Sequence, residues 1–276
     1  MNLTNNYLSP DEIADVIPDG ALIGIPKEDG GASMALTRAL IRTRAQNLRI
    51  LTVPVSSIQA DMLIGAGCVQ EIETSAVSMG EFGFAPQFRQ AVETGSIKIK
   101  EATCPAIYAE LQAAEKGSPF IPLRGIIGSD ILANRPDWKI IDNPLSKKKD
   151  PIVLLPAVQP EFALFHAEYG DFHGNVWVGA RRECVLLAHA SCRSFVTVEK
   201  IWEGNLMDDD RMRSGTIPPI YVEAVAHVPK GAWPLSLGKV YERDGDHLRK
   251  YVAAAQSLDN FNAYLQTYVF DYREMA

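Results

Sequence analysis

Short apolar runs alternate with segments of helical periodicity from residue 21 to residue 116, and this alternation narrows the possible folds more than any other feature of the chain. Strand-length runs fall at 21–25, 48–53, 69–73 and 97–99, and helical patterns cover 33–44, 58–64, 86–93 and 106–116. A strand followed by a helix returns beside its predecessor in parallel, and a sheet covered by helices on both faces accepts strands that are apolar throughout. The pattern predicts an α/β fold, an open and mainly parallel sheet flanked by helices. No linker or composition break divides the chain, so residues 1–276 read as one domain.

The second half is less regular. Prolines and glycines loosen the pattern over 122–150 around a short strand near 139–141, and strands at 152–155, 162–166, 195–198 and 220–228 then restore the sheet. Residues 248–270 read as one closing helix whose Tyr251, Phe261, Tyr264, Leu265 and Tyr268 pack on the body.

Two places carry polar residues where such a sheet binds ligands, at the carboxyl ends of its strands. Within 161–199, one strand runs into the turn Asp171-Phe172-His173-Gly174-Asn175, and a helix then leads to a second strand ending on Glu199. Asp171, His173, Asn175 and Glu199 are therefore candidates, beside the alternative that Gly174-Asn175 is a plain turn closed by the Asp171 carboxylate. After the first strand, Gly30-Gly31 precede a helix that Ser33 is placed to cap. Such a loop offers N–H groups to an anion, yet it fits neither GxGxxG nor GxxxxGK[ST] and reads equally as a connection.

Composition removes several classes. Nothing approaches the ~20 apolar residues that span a bilayer, and the amino terminus lacks a basic stretch before an apolar one, so a cytoplasmic protein away from membranes is expected. A net charge of -7 argues against nucleic acid, and Lys147, Lys148 and Lys149 suit either a solvated loop or the phosphates of an anionic cofactor. The four cysteines, Cys68, Cys104, Cys184 and Cys192, lie far apart, as reduced core thiols do, and suggest neither a disulfide framework nor a metal site.

Several segments also occur in a telling order. Pro18-Asp19-Gly20-Ala21 opens the first strand, Leu63-Ile64-Gly65-Ala66-Gly67 precedes Val69, and Phe82-Gly83-Phe84-Ala85-Pro86-Gln87-Phe88-Arg89 leads into Ala91-Val92-Glu93-Thr94-Gly95. Pro119-Phe120-Ile121-Pro122 with Arg124, the 171–175 turn, and Val196-Thr197-Val198-Glu199 continue the series. Together they resemble the α subunit of family I coenzyme A transferases, particularly the glutaconate CoA-transferase type.

The resemblance implies the fold shared by those transferases and some sugar-phosphate isomerases. It implies a separately encoded β subunit that carries the nucleophilic glutamate, and an acyl-CoA and a carboxylic acid as substrates. Coenzyme A would be a substrate and no cofactor would be bound permanently. Gly30, Gly31, Ser78, Met79 and Gly80 are the implied oxyanion donors, with Phe82, Asp171, His173 and Asn175 around the pocket. Where many members have Gly-Gly-Phe after the first strand, this chain has Pro26-Lys27-Glu28 and then Gly30-Gly31, so the acyl pocket is rebuilt.

A related branch comprises α subunits of hydrolases that open a ring in CoA-linked steroid degradation products. There the comparable strand end is Lys100-Glu101-Ala102-Thr103-Cys104, which makes Glu101 an acid–base candidate beside Glu199. Glu101 also reads as a surface residue at the start of the following helix, and His173 as a turn residue or a base. An alternative of another class is a regulatory subunit that kept the fold without the chemistry.

Overall fold

The structure is a computed structural model and describes residues 7–272. Helix α1 (Pro10–Asp15) starts on a capping box in which Ser9 accepts from the Glu12 amide and Glu12 accepts from the Ser9 amide. Then follow β1 (Leu22–Ile25), α2 (Met34–Arg42), β2 (Leu48–Thr52), α3 (Ile58–Gly65), β3 (Val69–Thr74), α4 (Pro86–Thr94), β4 (Lys98–Glu101) and α5 (Cys104–Glu115). Ser33 caps α2 by accepting from the Leu36 amide at 3.3 Å. Residues 34–41 of α2 are all buried, and each large apolar side chain so placed contributes ~1.5–3 kcal/mol.

The chain continues through β5 (Phe120–Leu123), α6 (Ile131–Asn134), β6 (Lys139–Asp142) and β7 (Pro151–Pro156). Next come β8 (Phe162–Asp171), β9 (Val176–Trp177), α7 (Arg182–Ala190), β10 (Arg193–Trp202), β11 (Thr216–Ile217) and β12 (Ala224–His227). It closes with α8 (Gly245–Ala254) and α9 (Leu258–Leu265).

Strands β4, β3, β2, β1, β8, β10 and β12 lie side by side in that order, each parallel to its neighbour. Successive residues feed opposite cores. Ile50 joins α1 to α4 and the closing helices on one face, while Leu51 joins α5 and α7 on the other.

Four expectations are corrected. Strand β7 does not enter the main sheet; it pairs antiparallel with β5 and β6 in a separate sheet, its Val153 and Leu155 sharing a core with Ile107 and Leu111 of α5. The prolines at both its ends and the short link from β6 favour a hairpin over a crossover. Strands β8 and β10 run to Asp171 and Trp202, so Glu199 lies inside a strand and not at its end. The last strand begins at Ala224, because Pro218 and Pro219 turn the chain before it. The closing helix is broken into α8 and α9, since Ser257 adopts extended backbone and caps α9 through the Asn260 amide, and a π-helical turn over Gln266–Phe270 follows.

Past β1, the free edge of β8 is taken by β9, which pairs antiparallel through Tyr169 with Trp177 and Gly170 with Val176. Asp171 closes this hairpin. It is fully buried and accepts from the amides of His173 (2.8 Å), Asn175 (3.0 Å) and Leu206 (2.8 Å) and from Asn175 Nδ2 (2.8 Å). Gly174 has φ +84, the left-handed conformation that the turn requires. Asp171→Ala is expected to lower the unfolding free energy in urea melts by about 3 kcal/mol or more, because buried donors lose a charged acceptor. A loss below about 1 kcal/mol would show that the hairpin closes without it.

Candidate functional site

The register of β8 against β10 sets His166 opposite Thr197, and the next pair on the same face is Glu168 and Glu199. His166 Nδ1 lies 2.8 Å from Thr197 Oγ1, which lies 2.8 Å from Ser33 Oγ at the start of α2. His166 Nε2 lies 3.3 Å from Glu199 Oε2, and that oxygen also accepts from the Lys230 amide at 2.8 Å. Elements far apart in sequence thus meet in one buried chain of polar groups.

Two glycines make room for it. The Gly31 carbonyl accepts from the His166 amide at 2.6 Å, filling the β8 edge between the stretches held by β1 and β9. Gly31 has φ +92, and a Cβ there would overlap the His166 carbonyl oxygen. On the other side, a Cβ on Gly231 would lie 2.7 Å from the imidazole ring.

Complete burial holds the His166 pKa down, against the pull of Glu199. The ring is therefore neutral near pH 7, and its contact with Glu199 is a hydrogen bond and not an ion pair. Donor logic assigns the proton: Nε2–H donates to Glu199, and Nδ1 accepts from the Thr197 hydroxyl. Burial raises the Glu199 pKa, but the His166 bond and the Lys230 amide outweigh it, leaving the carboxyl below its usual range. Desolvation raises the Tyr241 hydroxyl, which accepts from the Ala232 amide at 3.1 Å and also feels Glu199.

Arg181 stands 3.4 Å from Glu168, and its buried Nε and Nη2 have no partner. The Cys184 thiol, pushed up to about 12 by burial, donates to the Gly30 carbonyl at 2.9 Å.

The loops after β1, β2 and β3 form the rim of the same carboxyl edge. The Glu28 amide reaches the Val55 carbonyl, and Ser56 bridges to Val77. Burial and then Asp29 raise the Glu28 pKa, opposed by the Ser57 hydroxyl and Arg243. Ser56 Oγ and Gln59 Oε1, at the start of α3, are buried without partners.

Four of the five expected oxyanion donors are otherwise engaged. The amides of Gly30, Ser78 and Met79 bond the carbonyls of Lys27, Ser56 and Gly83, and that of Gly80 bonds Ser78 Oγ. Phe82 lines a cleft of ≈ 570 Å³ with Phe84, Arg89, Val252 and Leu258. Glu101 is exposed at the end of β4, its carboxylate accepting from Asn134 Nδ2 at 2.9 Å.

The structure thus gathers Gly30, Gly31 and Glu199 around His166. Asp171 sits elsewhere, five residues along β8 and roughly 16 Å from His166, with His173 and Asn175 in the turn beyond it. Ser33, His166, Thr197, Glu168 and Arg181 are missing from the sequence-based candidates. A signal for three of them exists: His166 and Glu168, like Thr197 and Glu199, are polar residues two apart within apolar strands. Among the described residues, no group of three or more His, Cys, Asp or Glu is placed to hold a metal ion.

No protein-family model matches the chain. It is 31% identical to an uncharacterized protein of Archaeoglobus fulgidus over 97% of its own length, and spans 60% of that relative. It is 30% identical to the A subunit of 3-oxoadipate CoA-transferase from Pseudomonas knackmussii, over 85% of this chain and 83% of that one. Identity is also 30% to the A subunit of glutaconate CoA-transferase from Acidaminococcus fermentans, over 78% and 72% respectively. The solved glutaconate coenzyme A-transferase of that organism superposes with a TM-score of 0.90 at 25% identity, over 98% of this chain and 90% of the other. A variant of the decarboxylase AibA/AibB superposes at 0.84 with 27% identity, over 95% and 97%.

Gly31→Ala is expected to destabilise the chain by more than about 2 kcal/mol in denaturant melts, since both backbone strain and overlap with His166 oppose it. His166 is also expected to leave a mark on acid stability. Its folded pKa lies below the unfolded 6.5, so the unfolded state takes up the proton first and stability falls as pH drops below 6.5. His166→Gln is expected to remove up to about 1.4 kcal/mol per pH unit of that slope. An unchanged slope would mean that the ring is protonated in the fold.

Proposed function

The chain belongs to the family of CoA-transferase A subunits, and from this we propose that it is the α subunit of a two-subunit enzyme moving coenzyme A from an acyl-CoA to a carboxylic acid. The observation that carries the reading is the buried chain Ser33–Thr197–His166–Glu199, set under the loops at the carboxyl edge of the parallel sheet. A separately encoded β subunit would close over that edge and supply the nucleophilic glutamate.

The reaction needs a carboxylate and no resident cofactor. One oxygen of the partner's glutamate adds to the thioester carbonyl and expels CoA thiolate, forming an acyl–glutamyl anhydride. The thiolate adds to the glutamyl carbonyl, releases the donor acid as its carboxylate and leaves a glutamyl-CoA thioester. The acceptor carboxylate then takes the same two steps in reverse order, and covalent catalysis divides one difficult exchange into easier ones.

Each step passes through an oxyanion that needs fixed donors. In this chain the unpartnered hydroxyl of Ser56 and the Arg181 N–H groups are available for that work, whereas the amides at 78–80 are already bonded. Glu199, held by His166 and Lys230, fixes the 228–231 turn against the loop of Gly31. Glu101, exposed at the rim, is the acid–base group that a hydrolytic version of the site would use.

Co-expression with the product of a neighbouring gene is expected to give a stable complex that turns over acyl-CoA only when an acceptor acid is present. Steady consumption of acyl-CoA by water alone would replace the transferase reading with a hydrolase. Full activity of the isolated chain as a monomer would overturn the shared site. Within the complex, Glu199→Gln is expected to lower kcat by about 10–100-fold through misplacement of the loops, with assembly unchanged.

A further inference from the structure

Away from His166, three carboxyl groups and two cations pack between β3, β4, α5 and the segment joining α6 to β6. Glu110 on α5 is 0% exposed, Arg135 is 1% exposed, and Glu73 on β3 is buried beside them. Arg135 lies over Trp138, 3.9 Å from the ring centroid. It donates through Nη1 to the Glu101 carbonyl at 3.0 Å, and through Nε and Nη2 to Asp137 at 3.0 and 2.8 Å. Lys100 Nζ donates to Glu73 Oε2 at 2.7 Å and stands 3.9 Å from Asp137. Glu110 Oε1 accepts from Trp138 Nε1 at 2.8 Å and Arg135 Nη2 at 3.2 Å.

With every carboxyl ionised, this arrangement fails in two ways. Glu73 Oε1 and Glu110 Oε2 are buried and receive no donor, although Arg135 Nη2 stands 2.7 Å from the former as a charge contact. Three anions, Glu73, Glu110 and Asp137, also face only two cations, Arg135 and Lys100. A buried, uncompensated charge costs several kcal/mol.

We infer that Glu110 keeps its proton at neutral pH and donates it to Glu73, and that this acid–carboxylate pair positions Arg135, which fixes the Glu101 end of β4. One proton repairs both faults: Glu110 Oε2–H becomes the donor, Glu73 Oε1 the acceptor, and the charges balance. It sits on Glu110 because Glu73 faces both cations. Burial, then the charge of Glu73, push the Glu110 pKa up to about 8, opposed by Arg135 and the Trp138 bond. From the segment after β7, only the uncharged Val158 amide is bonded to Glu110, at its carbonyl.

The folded chain holds this proton more tightly than the unfolded one, whose value is 4.5, so folding loses stability as pH rises from 4.5 to about 8 and then levels. Comparing the full chain with Glu110→Gln cancels every other titrating group outside the cluster. The amide that replaces the carboxyl is uncharged at all pH and keeps a donor toward Glu73.

The ratio of unfolding constants, wild type over E110Q, is expected to grow by up to tenfold per pH unit between pH 5 and 8 and to stay constant above that. Over the same range, hydrogen exchange corrected for intrinsic rates is expected to show residues 98–104 losing protection in wild type but not in E110Q. A ratio independent of pH, or equal protection in the two proteins, overturns the inference.

Infrared difference spectroscopy of wild type keeps the inference falsifiable even if E110Q fails to fold. The carbonyl stretch of an un-ionised carboxylic acid is expected at pH 7 and should vanish as pH passes about 8. Asp61, pushed up only to about 6, is largely ionised by then. Absence of that band at pH 7 overturns the inference. None of these measurements depends on the CoA-transferase reading.

Discussion

Strands β8 and β10 pair in parallel along their whole length, which fixes each side chain on one against its counterpart on the other. On one face this aligns His166 with Thr197 and Glu168 with Glu199. On the opposite face it aligns Phe165 with Val196 and Ala167 with Val198, all within the core under α5 and α7. A slip of one residue would drive the polar set into that core, so the apolar face enforces the register of the polar one. The Gly31 loop and the Lys230 turn then close on the row from either side, and the carboxyl edge acquires its shape.

What is legible in the sequence is what depends on neighbours along the chain. The alternation of strands and helices, the Ser33 cap and the 171–175 turn all rest on local periodicity and backbone preference. The site does not. His166 sits at the end of an apolar run and reads as part of a buried strand; only pairing with a strand 31 residues later supplies its partners. Glu199 reads as a strand end because the apolar run stops there, whereas β10 continues because β8 continues beside it. The Asp171 turn is visible in the sequence, and both of its readings concern the same carboxylate. Its four donors give that carboxylate a structural task at the end of the hairpin.

The sheet carries two buried polar groups of different electrical character. Around His166 a neutral ring and a carboxylate are satisfied by hydroxyls and a backbone amide, so charge is dispersed through hydrogen bonds. Around Arg135 the charges are explicit and meet at the far end of the sheet, between β3 and β4. Exchanging either set for apolar residues would remove a desolvation cost, but removing one member alone leaves the others buried and unpaired. Both groups hold the carboxyl ends of strands, one through glycine loops and one through the Glu101 carbonyl.

The four thiols divide in the same geometry. Cys68 and Cys184 are buried, and burial raises both pKa values, so they stay protonated. The exposed pair lies at opposite rims of the parallel sheet: Cys104 begins α5 just past the carboxyl end of β4, and Cys192 precedes the amino end of β10. A thiol-reactive dye therefore finds two natural attachment points without engineering. One looks onto the rim that a ligand or second subunit would cover, and the other, on the reverse side, serves as its built-in reference.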